Sequence, residues 1–188
     1  PPDRATPLYL CLEDSVLRIQ NRLFEITEDA PESVHFCTEC APLGQGLEEQ
    51  IETFSMEHPG TVLVIIDTLQ MVRPIHDATY ANDYRDMSVL KRLADRLGLA
   101  ILLIHHLRKE KAEDVFHRIY GTTAISGAVD SNFTLVEKRR GSGRAELTCL
   151  GRGNGNRGRE EGREAHKRWG RDSRSQGDTR GGGGAAGE

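Results

Sequence analysis

Val62-Leu63-Val64-Ile65-Ile66-Asp67-Thr68 decides how the rest of the chain is read. Five aliphatic residues in a row, several of them β-branched, form the pattern of a short strand buried on both faces of a sheet. The run stops at an acid. A carboxylate is thereby delivered to the carboxyl end of a central strand, the edge where open α/β sheets bind ligands. An acid at that edge commonly holds a divalent metal beside nucleotide phosphates. The plainer alternative is a strand that ends in a turn or helix-capping Asp, and the neighbouring segments must decide between the two.

Upstream, Pro59-Gly60 is a turn that feeds this strand, and Leu47 to His58 form a helix with Leu47, Ile51 and Phe54 inward. Val34 to Cys37 is a short strand. Leu8-Tyr9-Leu10-Cys11-Leu12 is another, and it too ends in acids, Glu13 and Asp14. Ser15 then opens an amphipathic helix whose apolar face carries Val16, Ile19, Leu23 and Ile26. Downstream, a polar loop precedes a helix capped by Asn82 or Asp83, with Met87, Leu90, Leu93, Ala94 and Leu97 at helical spacing and Gly98 at its end. Leu99 to Ile104 is a second buried strand, terminated by His105-His106.

Strand, helix and strand alternate, which implies parallel neighbours joined by right-handed crossovers. Leu107 to Tyr120 is charged and reads as an exposed loop, and a small-residue helix spans Gly121 to Asp130. Asn132–Glu137 and Arg144–Leu150 are strands whose link, Lys138 to Gly143, suits a hairpin. The expected fold is α/β, a mostly parallel central sheet flanked by helices and ending in a β-hairpin.

Composition changes abruptly near residue 151. Of 20 glycines, 12 fall in residues 151–188, and the apolar side chains there are Ala165, Trp169, Ala185 and Ala186. Such a segment buries too little surface to offset the entropy of ordering it. Residues 1–150 are therefore the expected folded core and 151–188 a disordered Gly/Arg-rich tail. The tail carries 9 Lys+Arg against 6 Asp+Glu, net +3, leaving 16 against 23, net −7, for the core. An acidic core argues against a nucleic-acid footprint spread over the whole surface. Four scattered cysteines, with no signal peptide and no apolar run of spanning length, fit a reducing, cytoplasmic setting without membrane contact. Cys37 and Cys40 make one ligand pair without a second downstream, which is too few donors for a zinc site.

Three strands thus end in polar side chains at one expected edge: Glu13, Asp67, and His105 or His106. Together they suit phosphoryl chemistry. Asp67 would hold Mg²⁺ through water, Glu13 would orient or deprotonate an attacking water, and a histidine would contact the terminal phosphate.

Leu8–Arg22 (LYLCLEDSVLRIQNR), Val62–Arg73 (VLVIIDTLQMVR), Leu103–Lys109 (LIHHLRK) and Gly121–Asp130 (GTTAISGAVD) resemble the RepA-type, RecA-like hexameric helicase/ATPase family of P-loop, AAA-type NTPases. The resemblance runs in consistent order and spacing from about Leu8 to Gly151. It implies a RecA-like core that uses ATP and Mg²⁺. Asp67 matches the Walker B acid and metal site, Glu13 the catalytic glutamate, and His105-His106 the family's histidine motif. It also implies a homo-hexamer acting on single-stranded DNA, with Arg108, Lys109 and Lys111 candidates for backbone phosphate contact. Lys138 and Arg140 match basic residues that reach the neighbouring subunit's nucleotide as fingers.

Two departures qualify the match. No G-x-x-x-x-G-K-[ST] occurs in the 188 residues, and the chain starts where the family would have completed its first strand, phosphate loop and first helix. The resemblance also fades after Leu150-Gly151-Arg152, where a shifted reading frame or an unrelated terminus would explain the change of composition. The leading expectation is a truncated core of a DNA-linked ATPase, inactive alone. The runner-up is a non-catalytic RecA-like module that binds DNA or a partner subunit. A metal-dependent hydrolase using Glu13, Asp67 and His105 fits the acids but not the order of motifs.

Overall fold

The computed structural model describes residues 5–74, 79–107, 123–137, 142–151 and 163–166. Four parallel strands, β1 (Thr6–Cys11), β2 (His35–Cys37), β3 (Thr61–Asp67) and β4 (Ala100–Ile104), line up in the order β2-β1-β3-β4. Helices α1 (Val16–Ile26), α2 (Leu47–Glu57) and α4 (Tyr80–Leu97) make the crossovers, and a single turn, α3 (Leu69–Val72), follows β3 directly. A short helix, α5 (Thr123–Ala128), leads into β5 (Ser131–Glu137), which pairs antiparallel with β6 (Arg144–Gly151). The mostly parallel sheet and terminal hairpin are those the sequence predicts.

Alternation along the strands sorts their side chains between two faces. Leu8 and Leu10 of β1 stand level with Val64 and Ile66 of β3, and all four are at most 4% exposed. They pack on Leu47 and Ile51 of α2, Leu69 and Val72 of α3, and Met87, Leu90 and Leu93 of α4. Each such side chain contributes about 1.5–3 kcal/mol by leaving water, so this face carries most of the fold's stability.

Among the described residues, the opposite face is thinly covered. With right-handed crossovers, the strand order puts α1 alone on that side, across from α2 and α4. Ile19 is the buried residue of α1, whereas Val16, Leu17, Phe24 and Ile26 are exposed. Val16 and Ile26, expected on one apolar face with Ile19 and Leu23, are therefore exposed among the described residues. Helical periodicity identifies an apolar stripe but says nothing about whether anything packs on it.

Local signals set the helix ends. Ser15 caps α1 by accepting from the Arg18 amide, and Gly98 ends α4 at φ 65°, the left-handed conformation glycine takes without strain. The N-cap of α4 is Thr79, whose hydroxyl accepts from the Asn82 amide, not the expected Asn82 or Asp83. Asp83 has a different task. It lies fully buried with Asp86, and both accept from the guanidinium of Arg73, Nε reaching Asp86 Oδ2 at 2.8 Å and Nη2 reaching Asp83 Oδ1. This triad pins the segment after α3 to the first turns of α4.

Residues 163–166 of the glycine-rich tail form a further strand, β7 (Arg163–His166), antiparallel to β6. The link expected to turn the β5–β6 hairpin is described only from residue 142 onward.

Replacing Arg73 by Met removes the guanidinium that two buried carboxylates share, and should cost about 3–5 kcal/mol of stability. A lowered urea midpoint measures it. Replacing Arg73, Asp83 and Asp86 together by apolar residues of similar volume should cost far less.

Candidate active site at the carboxyl edge of the sheet

β1 and β3 run side by side to their last rung, where Cys11 stands level with Asp67. One further backbone bond, from the Leu12 amide to the Asp67 carbonyl at 2.8 Å, holds the two strand ends together. Glu13 and Asp67 therefore leave the sheet at the same rim. Thr68, only 1% exposed, donates its hydroxyl to Glu13 Oε1 at 2.8 Å. His106, at the end of β4, places Nε2 3.5 Å from the same oxygen, a charge-assisted contact when the imidazole is protonated. The Asp67–Thr68 peptide bond is cis.

Glu13, Asp67 and His106 are thus brought to one rim, and His105 lies beside them in the sequence with its ring partly sheltered. Asp14, the other acid after β1, is engaged elsewhere, in ion pairs with Arg18 at 3.2 Å and with Arg22. Arg108, Lys109, Lys111, Lys138 and Arg140 lie outside the described residues.

Sequence reasoning missed two participants. Tyr9 reads as one apolar member of Leu8–Leu12, yet its hydroxyl donates to Asp67 Oδ2 at 2.8 Å. Thr68 reads as a residue following the motif, yet it orients Glu13. A polar tip among aliphatic strand residues was the available signal for Tyr9, because a half-buried tyrosine hydroxyl needs a partner.

The electrostatics of the rim are those of clustered carboxylates. Burial, reinforced by the hydrogen bond to Asp67 and its charge, pushes the Tyr9 phenol well above the ordinary tyrosine range. Burial likewise pushes the Cys11 thiol up to about 12, helped by the charges of Asp67 and Asp14.

Could this rim hold a metal? Among the described residues, no three His, Cys, Asp or Glu side chains gather closely enough to bind an ion unaided. Asp67 offers one carboxylate with an oxygen, Oδ1, that no hydrogen bond from a described residue engages. One carboxylate completed by water and phosphate oxygens is how Mg²⁺ is usually bound, in contrast to an all-protein cage. The donor set therefore fits a Mg²⁺–nucleotide complex, and fits a free-standing metal hydrolase poorly.

A separate cavity of about 430 Å³ opens between β1, β2 and α2. Leu8, Leu10, Ile51 and Phe54 line it together with Glu39, Glu49 and Glu57, and among the described residues no basic side chain does. It is unsuited to phosphates and lies apart from the rim.

The parallel strand order and the right-handed crossovers are those of a RecA-like α/β core. Comparison with known proteins agrees. The sequence profile of the AAA domain matches residues 1–112, well over half of the chain, and the chain belongs to that family. No curated protein sequence matches it. Among solved structures, a DnaB-like replicative helicase, described with its interactions with primase, superposes with a TM-score of 0.62 at 14% identity. The match covers 87% of this chain and 48% of that one, so the chain spans about half the length of its structural relative. Among the described residues, no helix is long and apolar enough to cross a membrane.

Thiol chemistry tests the environment of the rim. Iodoacetamide at pH 8 should label exposed Cys37 readily, and Cys11 about a thousandfold more slowly than an ordinary thiol, as read by peptide mass mapping. The folded chain keeps the Cys11 proton to about pH 12, whereas the unfolded chain releases it near 9.0. Its stabilising contribution is therefore intact below pH 9 and is lost as pH rises toward 12. A Cys11→Ala variant should show a flatter decline of thermal midpoint across that range.

Proposed function

We propose that this chain is the core of a RepA-like, Mg²⁺-dependent ATPase that couples ATP binding and hydrolysis to the handling of single-stranded DNA. The observation that carries the reading is the convergence of Glu13, Asp67, Thr68 and His106 at one rim of a RecA-like sheet.

In this reading Asp67 would hold the Mg²⁺ that accompanies the nucleotide, and the ion would supply neutralisation of phosphate charge. Glu13 is the general base. Thr68 and His106 both engage Oε1, which leaves Oε2 to accept a proton from the attacking water. As that proton passes to Glu13, the water oxygen bonds to the terminal phosphorus and the bond to the leaving diphosphate oxygen breaks. His106 is exposed enough to meet a phosphate, and its contact with Glu13 links the base to the nucleotide's end.

The phosphate loop is not among these 188 residues, so the rim has acids and a base but no backbone cradle for the phosphates. Completion of the site by further chain and by neighbouring subunits of a hexamer belongs to the same proposal. So do the finger roles of Lys138 and Arg140, and the contacts of Arg108, Lys109 and Lys111 with single-stranded DNA. The runner-up, a RecA-like module that binds DNA or a partner subunit without hydrolysis, is favoured by the same missing loop.

The chain alone should release no phosphate from ATP above background in a coupled assay. Robust release that disappears in Asp67→Ala would overturn the claim that the loop is required. In a version supplied with a phosphate loop, Glu13→Gln should lower kcat by at least about a hundredfold while nucleotide binding persists. Single-stranded DNA binding by that version with no hydrolysis would instead establish the non-catalytic module.

A further inference from the structure

Away from the rim, Cys37 and Cys40 flank a bend. Cys37 is the last residue of β2, the chain bends at Thr38, and both cysteines line the cavity between β1, β2 and α2. Their surroundings differ. Cys37 is exposed, whereas Cys40 is half-buried and packs against the core cluster. Alternation along the strands decides which thiols can meet. Cys37 stands level with Leu10, and both line this cavity, so the two share a face of the sheet. Cys11, one residue further along β1 and buried, points to the other face. Of these three thiols, Cys37 and Cys40 share a side and Cys11 does not.

We propose that Cys37 and Cys40 form a reversible oxidation site, a dithiol that a low-molecular-weight disulfide such as glutathione disulfide converts to an intrachain bridge. The exposed Cys37 thiolate attacks one sulfur of the small disulfide, whose S–S bond breaks as the first small thiol leaves. Cys40 then attacks the Cys37 sulfur, gives up its proton and expels the second small thiol. Two protein thiols lose two electrons and two protons, and the small disulfide gains them as two thiols. Burial, and after it the charge of Cys37, raises the Cys40 thiol above the ordinary cysteine range. Capping Cys37 removes that charge, so Cys40 becomes the readier nucleophile once its partner is engaged. In a reducing compartment the bridge is transient and follows the thiol–disulfide balance. Its mechanical effect follows from what comes next in the chain. The Ala41 amide donates to Gln50 Oε1 at 2.8 Å, the Leu43 amide donates to the Val72 carbonyl at 2.8 Å, and Leu43 is buried. The bridge therefore staples β2, a three-residue edge strand, to chain already anchored on α2 and α3.

The test incubates the folded full chain with glutathione disulfide, quenches it with acid and maps its peptides by mass. Wild type should lose two hydrogens and yield a Cys37–Cys40 link. Cys40→Ser should instead hold one glutathione on Cys37, and Cys37→Ser should keep Cys40 reduced. The bridged chain should melt a few degrees above the reduced one, a difference absent from both variants. Should a serine variant fail to fold, phenylarsine oxide, which grips neighbouring thiols in pairs, decides on wild type by protecting Cys37 and Cys40 together from iodoacetamide. Protection of neither overturns the pairing. Wild type that stays reduced, that keeps glutathione on Cys37 beside a free Cys40, or that links Cys37 to Cys11 or to a second chain overturns the site. A Cys37–Cys40 link with no rise in melting temperature overturns the staple and leaves the oxidation site standing.

Discussion

The bond between the Leu12 amide and the Asp67 carbonyl is the contact on which the rim depends. It extends the β1–β3 ladder one step past the strands, so that Glu13 and the hydroxyl of Thr68 emerge side by side. Register in such a ladder is set by which side chains are buried. Sliding β1 by one residue would turn Leu8 and Leu10 away from the cluster they form with α2 and α4 and present the half-buried Tyr9 to it instead. The same slip would carry Glu13 away from Thr68. Hydrophobic alternation in the strands and the placement of acids at their ends are therefore one constraint. The chemistry of the rim inherits its precision from the packing of Val64 and Ile66, both 0% exposed.

Much of this was legible in the sequence, for identifiable reasons. Uninterrupted aliphatic runs ending in Glu13, Asp67 and His105-His106 located three strand ends without knowledge of any contact. Short-range chemistry located the start of α1 at Ser15 and the end of α4 at Gly98. What failed was whatever depended on distant partners. Asp83 resembles a capping residue until Arg73, ten positions earlier, is seen to claim it inside the protein. Val16 and Ile26 carry helical spacing, yet among the described residues nothing buries them. Tyr9 was counted among apolar residues because only the fold shows its hydroxyl meeting Asp67. The basic residues expected to touch DNA or a neighbouring nucleotide lie outside the described residues, so their reading rests on family resemblance alone.

Acids outnumber bases across residues 1–150 as a whole. The cavity beside α2 is edged with glutamates, and the core carries a net negative charge, so positive charge for a triphosphate is not supplied by the protein's general field. Recognition at the rim must come from short-range geometry. The paired engagement of Glu13 Oε1 by Thr68 and His106, and of Asp67 Oδ2 by Tyr9, is geometry of that kind.

The two margins of the parallel sheet are unlike. β2 is three residues long, and so brief an edge gives an incoming strand little to grip. β4 presents five residues, Ala-Ile-Leu-Leu-Ile, with Leu102 42% exposed, and among the described residues β3 is its one strand neighbour. A greasy margin with spare backbone donors and acceptors recruits other chains, whatever the net charge says about repulsion. A lysine at Leu102 would act on this margin directly, where an adjustment of overall charge would not.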